Sequence, residues 1–265
     1  MKIILSKRSR DWSKKLSTAY RTKLTSKDIY VLASLLKKEF VVGVEGLTLV
    51  QEIPFQREGI HFVVKSLEDR GLIKYELNGV LMVDPKIRYV MNMISDPAKV
   101  SMIRERGKKR KKQVEYRFYD KSGTVMLTRD PIAGCYEIKV DKPSSPEQTK
   151  EALESAFYEG KELICGETIL LEELMLVKDY IKEFREASGR EYLKNTVKNE
   201  ISLDIIMEVL RGRGESVVVR NYERKGYRLE LKDSLILVKT QDHTVKLMCE
   251  NNVAVDIVIF GHEGG

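Results

Sequence analysis

The groups in this sequence that could move a proton, attack a carbonyl or hold a metal are three histidines, three cysteines and many carboxylates. His61 falls inside an amphipathic helical stretch, His243 at the start of a strand and His262 in a glycine-ended tail. None has a partnered base or metal-ligand spacing around it, so each reads as structural or solvent-facing. Cys135, Cys165 and Cys249 form no CxxC pair and leave an odd thiol, as a reducing compartment allows. Cys135 lies in a β region with no histidine near it and reads as a buried thiol, not a nucleophile. Acidic pairs such as Glu172-Glu173 sit on charged helices, where a wet face is the ordinary reading. GxGxxG, GxxxxGK[ST], HExxH and GxSxG are all absent. The expectation is a protein that is not an enzyme and uses neither metal nor cofactor.

The positive charge is local. The 265 residues carry a formal net charge of +7. Residues 1–27 hold nine Lys/Arg against Asp11, a net of +8, and the run RERGKKRKK at 104–112 holds seven against Glu105, a net of +6; the remainder is therefore at −7. A nucleic-acid module usually spreads Lys/Arg along the face that follows the phosphates. Two short basic segments on an acidic body read as solvated arms, or as docking sites for an acidic partner or for nucleic acid.

Hydrophobic residues at 42% and charged residues at 33% exclude disorder, collagen and a disulfide scaffold. No run approaches the roughly 20 apolar residues of a membrane helix. The opening Met1-Lys2-Ile3-Ile4-Leu5 is cut short by Lys7-Arg8, below the roughly 7–15 apolar residues of a signal-peptide core. A cytoplasmic, soluble protein is expected.

The elements are legible as patterns. Thr25-Ser26-Lys27-Asp28 signals a helix start, and Ile29, Leu32, Leu36 and Phe40 continue it over 27–40. Ile60, Val63, Val64 and Leu67 share a face of a helix over 57–70, stopped by Gly71. Strands at 72–77 and 80–83 flank Asn78-Gly79, a strong hairpin signal, and Asp84-Pro85 opens a third helix carrying Ile87, Val90, Met91 and Ile94. Strands follow at 113–120, 124–129 and 135–140, then helices at 145–158, 168–187 and 202–211. The tail is a meander at 216–222, 227–231, 234–240, 244–249 and 253–260, with Lys232-Asp233 among its turns.

Residues 114–130, VEYRFYDKSGTVMLTRD, align with 217–233, VVVRNYERKGYRLELKD, at a constant offset of 103 residues without a gap. Val114/Val217, Arg117/Arg220, Tyr119/Tyr222, Gly123/Gly226 and Asp130/Asp233 are identical. This predicts an internal duplication: an α+β fold with a central antiparallel sheet built from two quasi-repeated halves and flanked by helical bundles. The organisation expected is a basic arm or edge strand at 1–24, a first half at 25–160 and a second at 161–265, in one compact domain with pseudo-twofold symmetry.

Helix, linker, second helix and Asn-Gly hairpin is also the order of a winged-helix domain. Residues 57–70, REGIHFVVKSLEDR, argue against it, because three acids cancel three bases. Such a helix lacks the excess Lys/Arg that DNA binding needs. A winged-helix DNA-binding regulator with a C-terminal β domain is the alternative reading.

Leu67-Glu68-Asp69-Arg70-Gly71-Leu72, Asn78-Gly79, Asp84-Pro85-Lys86-Ile87 and Asp96-Pro97 together resemble the EspG-type cytosolic chaperones of type VII secretion, here as a Gram-positive counterpart. The resemblance implies a quasi-twofold sheet with helical bundles and a carrier, not a catalyst. Such a carrier binds the tip of a secreted helical-hairpin complex and holds it soluble until export. The partners implied are small WxG- or LxG-type substrate proteins. In the family, a variable loop between two early strands touches the client. By position that loop is Gly107 with Lys108, Lys109, Arg110, Lys111 and Lys112, between strands at 100–104 and 113–120. Opposite an acidic client these five cations would steer encounter within a Debye length of roughly 8 Å.

Overall fold

The computed structural model describes residues 20–44, 57–76, 80–107, 113–130, 132–158, 161–212, 214–250 and 252–262. The Asn78-Gly79 turn, the arm at 1–19 and the five cations at 108–112 lie outside them. Ten of the strands belong to an antiparallel sheet and two form a separate ribbon. The chain divides into two units: residues up to 100 with 115–145, and 101–114 with 146 onward.

The first unit begins with β1 (Tyr20–Thr25), whose alternation buries Leu24 and turns Arg21 and Lys23 outward. It pairs antiparallel with β7 (Cys135–Asp141), β7 with β6 (Gly123–Asp130), and β6 with β5 (Gln113–Asp120). Thr25 ends the strand and caps α1 (Ser26–Leu35) through a reciprocal box. The Asp28 N–H donates to Thr25 Oγ1 at 3.1 Å, and the Thr25 N–H to Asp28 Oδ2 at 2.8 Å. Asp28 is 4% exposed, and a buried carboxylate needs a cation. Arg70 supplies it, 3.0 Å from Asp28 Oδ2, and also donates to the Lys23 carbonyl.

Arg70 is placed by the end of α2 (Arg57–Asp69). Gly71, at φ 68°, lets its own N–H reach the Glu68 carbonyl and the Leu72 N–H reach the Leu67 carbonyl. The Arg-Gly-Leu turn thus joins helix end, strand β1 and α1 through a single ion pair. The ribbon of β2 (Ile73–Tyr75) and β3 (Leu81–Val83) follows, and Asp84 caps α3 (Pro85–Ser95) by accepting from Lys86 and Ile87. Ile87, Val90, Met91 and Ile94 are buried as the spacing predicts, together with Ile29, Leu32, Phe118, Leu127 and Ile138.

In the second unit the strand order is β4 (Lys99–Arg106), β9 (Glu215–Lys225), β10 (Arg228–Lys239), β11 (His243–Glu250), β12 (Ala254–His262) and β8 (Lys161–Leu170). Its helices are α4 (Pro146–Tyr158), α5 (Leu171–Lys182), α6 (Glu186–Leu193) and α7 (Glu200–Leu210).

Three sequence expectations change. The helix expected at 168–187 is strand β8 to Leu170, then two helices; Leu170 offers no capping side chain to mark the switch. The helix expected at 27–40 stops at Leu35 because Lys37 takes φ 54°. Lys232-Asp233 is not a turn: β10 runs through it with one extra residue, its register shifting between Leu231 and Asp233.

The repeat also sits differently from its sequence signal. Asp120↔Gly123 closes the β5–β6 hairpin and Lys225↔Arg228 the β9–β10 hairpin, two residues later than the offset of 103 would put it. In each half an early strand is followed by helices and then by four consecutive strands, the last of which pairs back to the early one: β7 with β1, β12 with β8. Counting back from those last strands matches β5–β6 with β10–β11, not β9–β10. The halves share an order of elements, and the residues that look alike lie one strand out of step.

Removing one member of the Arg70–Asp28 pair leaves a buried group unpaired. Arg70→Ala is expected to lower the unfolding free energy by about 2 kcal/mol, read from urea denaturation. An unchanged midpoint would contradict the clamp.

Candidate partner-binding surface

Register assigns each side of the second unit's sheet. Val255, Ile257 and Ile259 of β12 face the same way as Ile169, Glu167 and Cys165 of β8 and Val245, Leu247 and Cys249 of β11. This side meets Leu174 and Val177 of α5, Leu193 of α6, and Leu203, Ile206 and Met207 of α7 in one apolar cluster. At its margin the Cys165 thiol lies 3.0 Å from the Ser202 hydroxyl.

The opposite side carries Ile103, Val217, Val219, Leu235 and Leu237, covered by Leu153, Phe157 and Tyr158 of α4. Polar contacts fix α4 there. Lys150 Nζ is 2.6 Å from Asp233 Oδ1, which also accepts from Asn221 Nδ2 at 2.8 Å, while Asn221 Oδ1 accepts from the Ser101 hydroxyl at 2.5 Å. Lys246 pairs with Glu154 at 2.9 Å. At the helix end Lys161 Nζ donates to the Phe157 carbonyl and, at 2.6 Å, to Thr244 Oγ1; burial, with Lys239 adding to it, holds this ammonium below the ordinary lysine range. The Tyr158 ring lies 4.3 Å from that of Phe260, and burial followed by Glu154 pushes its phenol well above the usual range.

Beyond Tyr158 and Phe260 the cover ends. Leu163 pairs with Phe260 and Leu170 with Ala254, and on this side Leu163 is 65% and Leu170 43% exposed. Ile164, at the register shift opposite Ile259/Phe260, is exposed too, but its side chain turns to the other side, toward Gly261. Among the described residues β8 has no strand on its outer side. Two uncovered leucines, with Thr168 Oγ1 donating to Asp256 Oδ1 at 2.8 Å between them, therefore stand on an open sheet edge where a helix or strand of another chain could lie. Sequence reasoning missed it because it read Ile169 and Leu170 as part of a helix; the β-branched Ile164, Thr168 and Ile169 after Gly160 were the available signal.

The groups singled out for chemistry are not brought together. His61 is exposed on α2 with its ring edge-on to Phe62, His243 opens β11, and the His262 ring lies outside the described residues. No group of three His, Cys, Asp or Glu able to hold a metal occurs among the described residues. A cleft of about 470 Å³ is lined by Ile201, Asp204, Ile205, Glu208, Arg211, Asp242 and His243. Two of its charges are already paired, Asp204 with Arg190 and Arg211 with Glu186. No helix among the described residues is long and apolar enough to cross a membrane. On α2, the helix a winged-helix domain would present, Phe62 is 74% exposed and Arg70 is held by Asp28.

No protein-family model and no curated protein matches the chain. Among solved structures it is similar to the Mycobacterium tuberculosis type VII secretion system chaperone EspG5, determined in complex with a PE25–PPE41 dimer. The TM-score is 0.62 and the identity 13%, over 90% of each chain. The chain therefore has an EspG-like α+β fold.

The two sides of β8 should respond oppositely to mutation. Leu163→Glu with Leu170→Glu is expected to leave the urea midpoint within about 0.5 kcal/mol of the parent, whereas Ile169→Ala should cost about 3 kcal/mol. A large loss from the double Glu variant would make these leucines part of the core.

Proposed function

We propose that this chain is a non-enzymatic cytoplasmic chaperone of a type VII secretion system, a Gram-positive counterpart of the EspG-type proteins. It binds a small helical-hairpin substrate of WxG or LxG type and keeps it soluble before export. The observation that carries the reading is the fold, shared over 90% of both chains with a secretion chaperone solved bound to its PE25–PPE41 partner. The uncovered Leu163 and Leu170 on β8 support it, because a carrier of apolar helices needs preformed apolar contacts. The halves 25–160 and 161–265 are read as descendants of one unit, which the common order of their elements supports.

In this reading Lys108, Lys109, Arg110, Lys111 and Lys112 steer an acidic client toward the seat, and apolar contact holds it there. The winged-helix alternative is disfavoured by the engagement of Arg70 with Asp28 and by the cancelling charges of residues 57–70.

Co-expression with a small helical protein of WxG or LxG type should give a complex of defined ratio by light scattering, with no binding to duplex DNA at physiological salt. Binding to duplex DNA with a steep salt slope, and no protein complex, would replace this reading by the regulator. Changing the five cations to Ser is expected to slow association several-fold and flatten its salt dependence; an unchanged rate and slope would remove the loop from the mechanism.

A further inference from the structure

One side of the second unit's sheet is covered by a helix that is itself poorly buried. Of the thirteen residues of α4 only Pro146 and Thr149 are buried, and Leu153, Phe157 and Tyr158, which meet the sheet, are half-buried. On the opposite side α7 buries Leu203, Ile206 and Met207. Beneath α4, Val219, Leu235 and Leu237 are fully shielded, so the sheet gains more from this cover than the helix does. The Tyr158 hydroxyl is buried with no hydrogen-bond partner among the described residues, a cost that leaving the seat would remove. A helix this short is marginal in water by itself, so α4 is helical because the sheet holds it.

What holds it is charge along one flank. Glu147, Lys150 and Glu154 recur at helical spacing and share a face. They pair with Lys232 at 3.8 Å, Asp233 at 2.6 Å and Lys246 at 2.9 Å. An element with few buried apolar groups, latched by partly exposed ion pairs, lies at the low end of local stability and opens before the fold does. Opening would change the surface. By register, Met248 of β11 and Val258 and Phe260 of β12 stand on the α4 side, between Leu235 of β10 and Leu163 of β8. With α4 away, these side chains join into one apolar face that runs to the open edge.

We propose that α4 is an exchangeable cover, and that the seat beneath it takes an amphipathic helix of the client with the same pattern: apolar side chains where Leu153 and Phe157 lie, carboxylates where Glu147 and Glu154 lie. α4 is the occupant the structure shows, and its contacts state the chemistry of its replacement. Lys232 and Lys246 pair with an acidic flank, and Val219, Leu235 and Leu237 with an apolar stripe. A client helix that also spans Val258 and Leu163 buries apolar area that α4 leaves open, which is how it can displace a tethered competitor. This rests on the chaperone reading above and specifies the helix face which that reading leaves undefined.

The test compares the full parent chain with a Glu147→Lys, Glu154→Lys variant, which sets like charges against Lys232 and Lys246. In the parent, the amides of 151–158 should exchange at least about tenfold faster than those of 203–210, and the reversal should speed the first group alone. A fluorescent peptide of the parental sequence 146–158 should bind the reversed variant saturably, and the parent at least about tenfold more weakly. Adding Lys232→Glu and Lys246→Glu should slow α4 exchange again yet abolish peptide binding, a pairing of results that a purely structural role does not give. Amides of α4 as slow as those of α7, or a reversed variant that binds no peptide, would overturn the exchangeable cover. A WxG-type helical protein should compete with the peptide; one that binds without competing would overturn the seat as the client's. Peptide binding with no such protein bound would keep the exchangeable seat and remove the chaperone reading instead.

Discussion

In the second unit the sheet is wider than its cover on one side. Six strands about 4.8 Å apart present roughly 24 Å of width, and one helix about 10–12 Å across covers two or three of them. Three helices bury the side bearing Val245, Val255, Ile257 and Ile259. Among the described residues the other side is covered by α4, over Ile103, Val217, Val219, Leu235 and Leu237 of β4, β9 and β10 and, at its end, against Lys246 of β11 and Phe260 of β12. Leu163 and Leu170 of β8 are left uncovered beyond it, and this inequality gives the chain an apolar surface to offer.

Where the uncovered edge begins depends on where α4 is held, and polar contacts hold it. The extra residue in β10 turns Asp233 toward Lys150 and Asn221, and Ser101 completes the chain of bonds. Lys246–Glu154 and the Lys161 contacts pin the helix further along. Such directional bonds specify position more than they add stability. The first unit uses the same device once, in the Arg70–Asp28 pair that joins α1, β1 and the end of α2.

Much of this was readable from the residues. Capping boxes, glycine stops and strict alternation located α1, α2, α3, α4, α7 and the meander strands, because each is a local signal with a local cause. What escaped was non-local. β8 is a strand because β12 offers it a ladder, and its sequence alone fits a helix almost as well. Lys232-Asp233 looks like a turn until Asn221 and Lys150 are seen to need the carboxylate. The likeness of 114–130 to 217–233 pointed to two related halves, yet it paired hairpins that stand one strand out of step, since hairpins of similar turn chemistry resemble one another wherever they fall. The uncovered Leu163 and Leu170 were invisible for the same reason as β8.

Hydrogen exchange on the chain alone and in complex with its helical client tests the central claim, that the open side of the second unit is the seat. Slowed exchange of the backbone amides of 161–170 in the complex is the expected result. A stable complex that leaves those amides exchanging as in the free chain, and protects 57–70 instead, would contradict it.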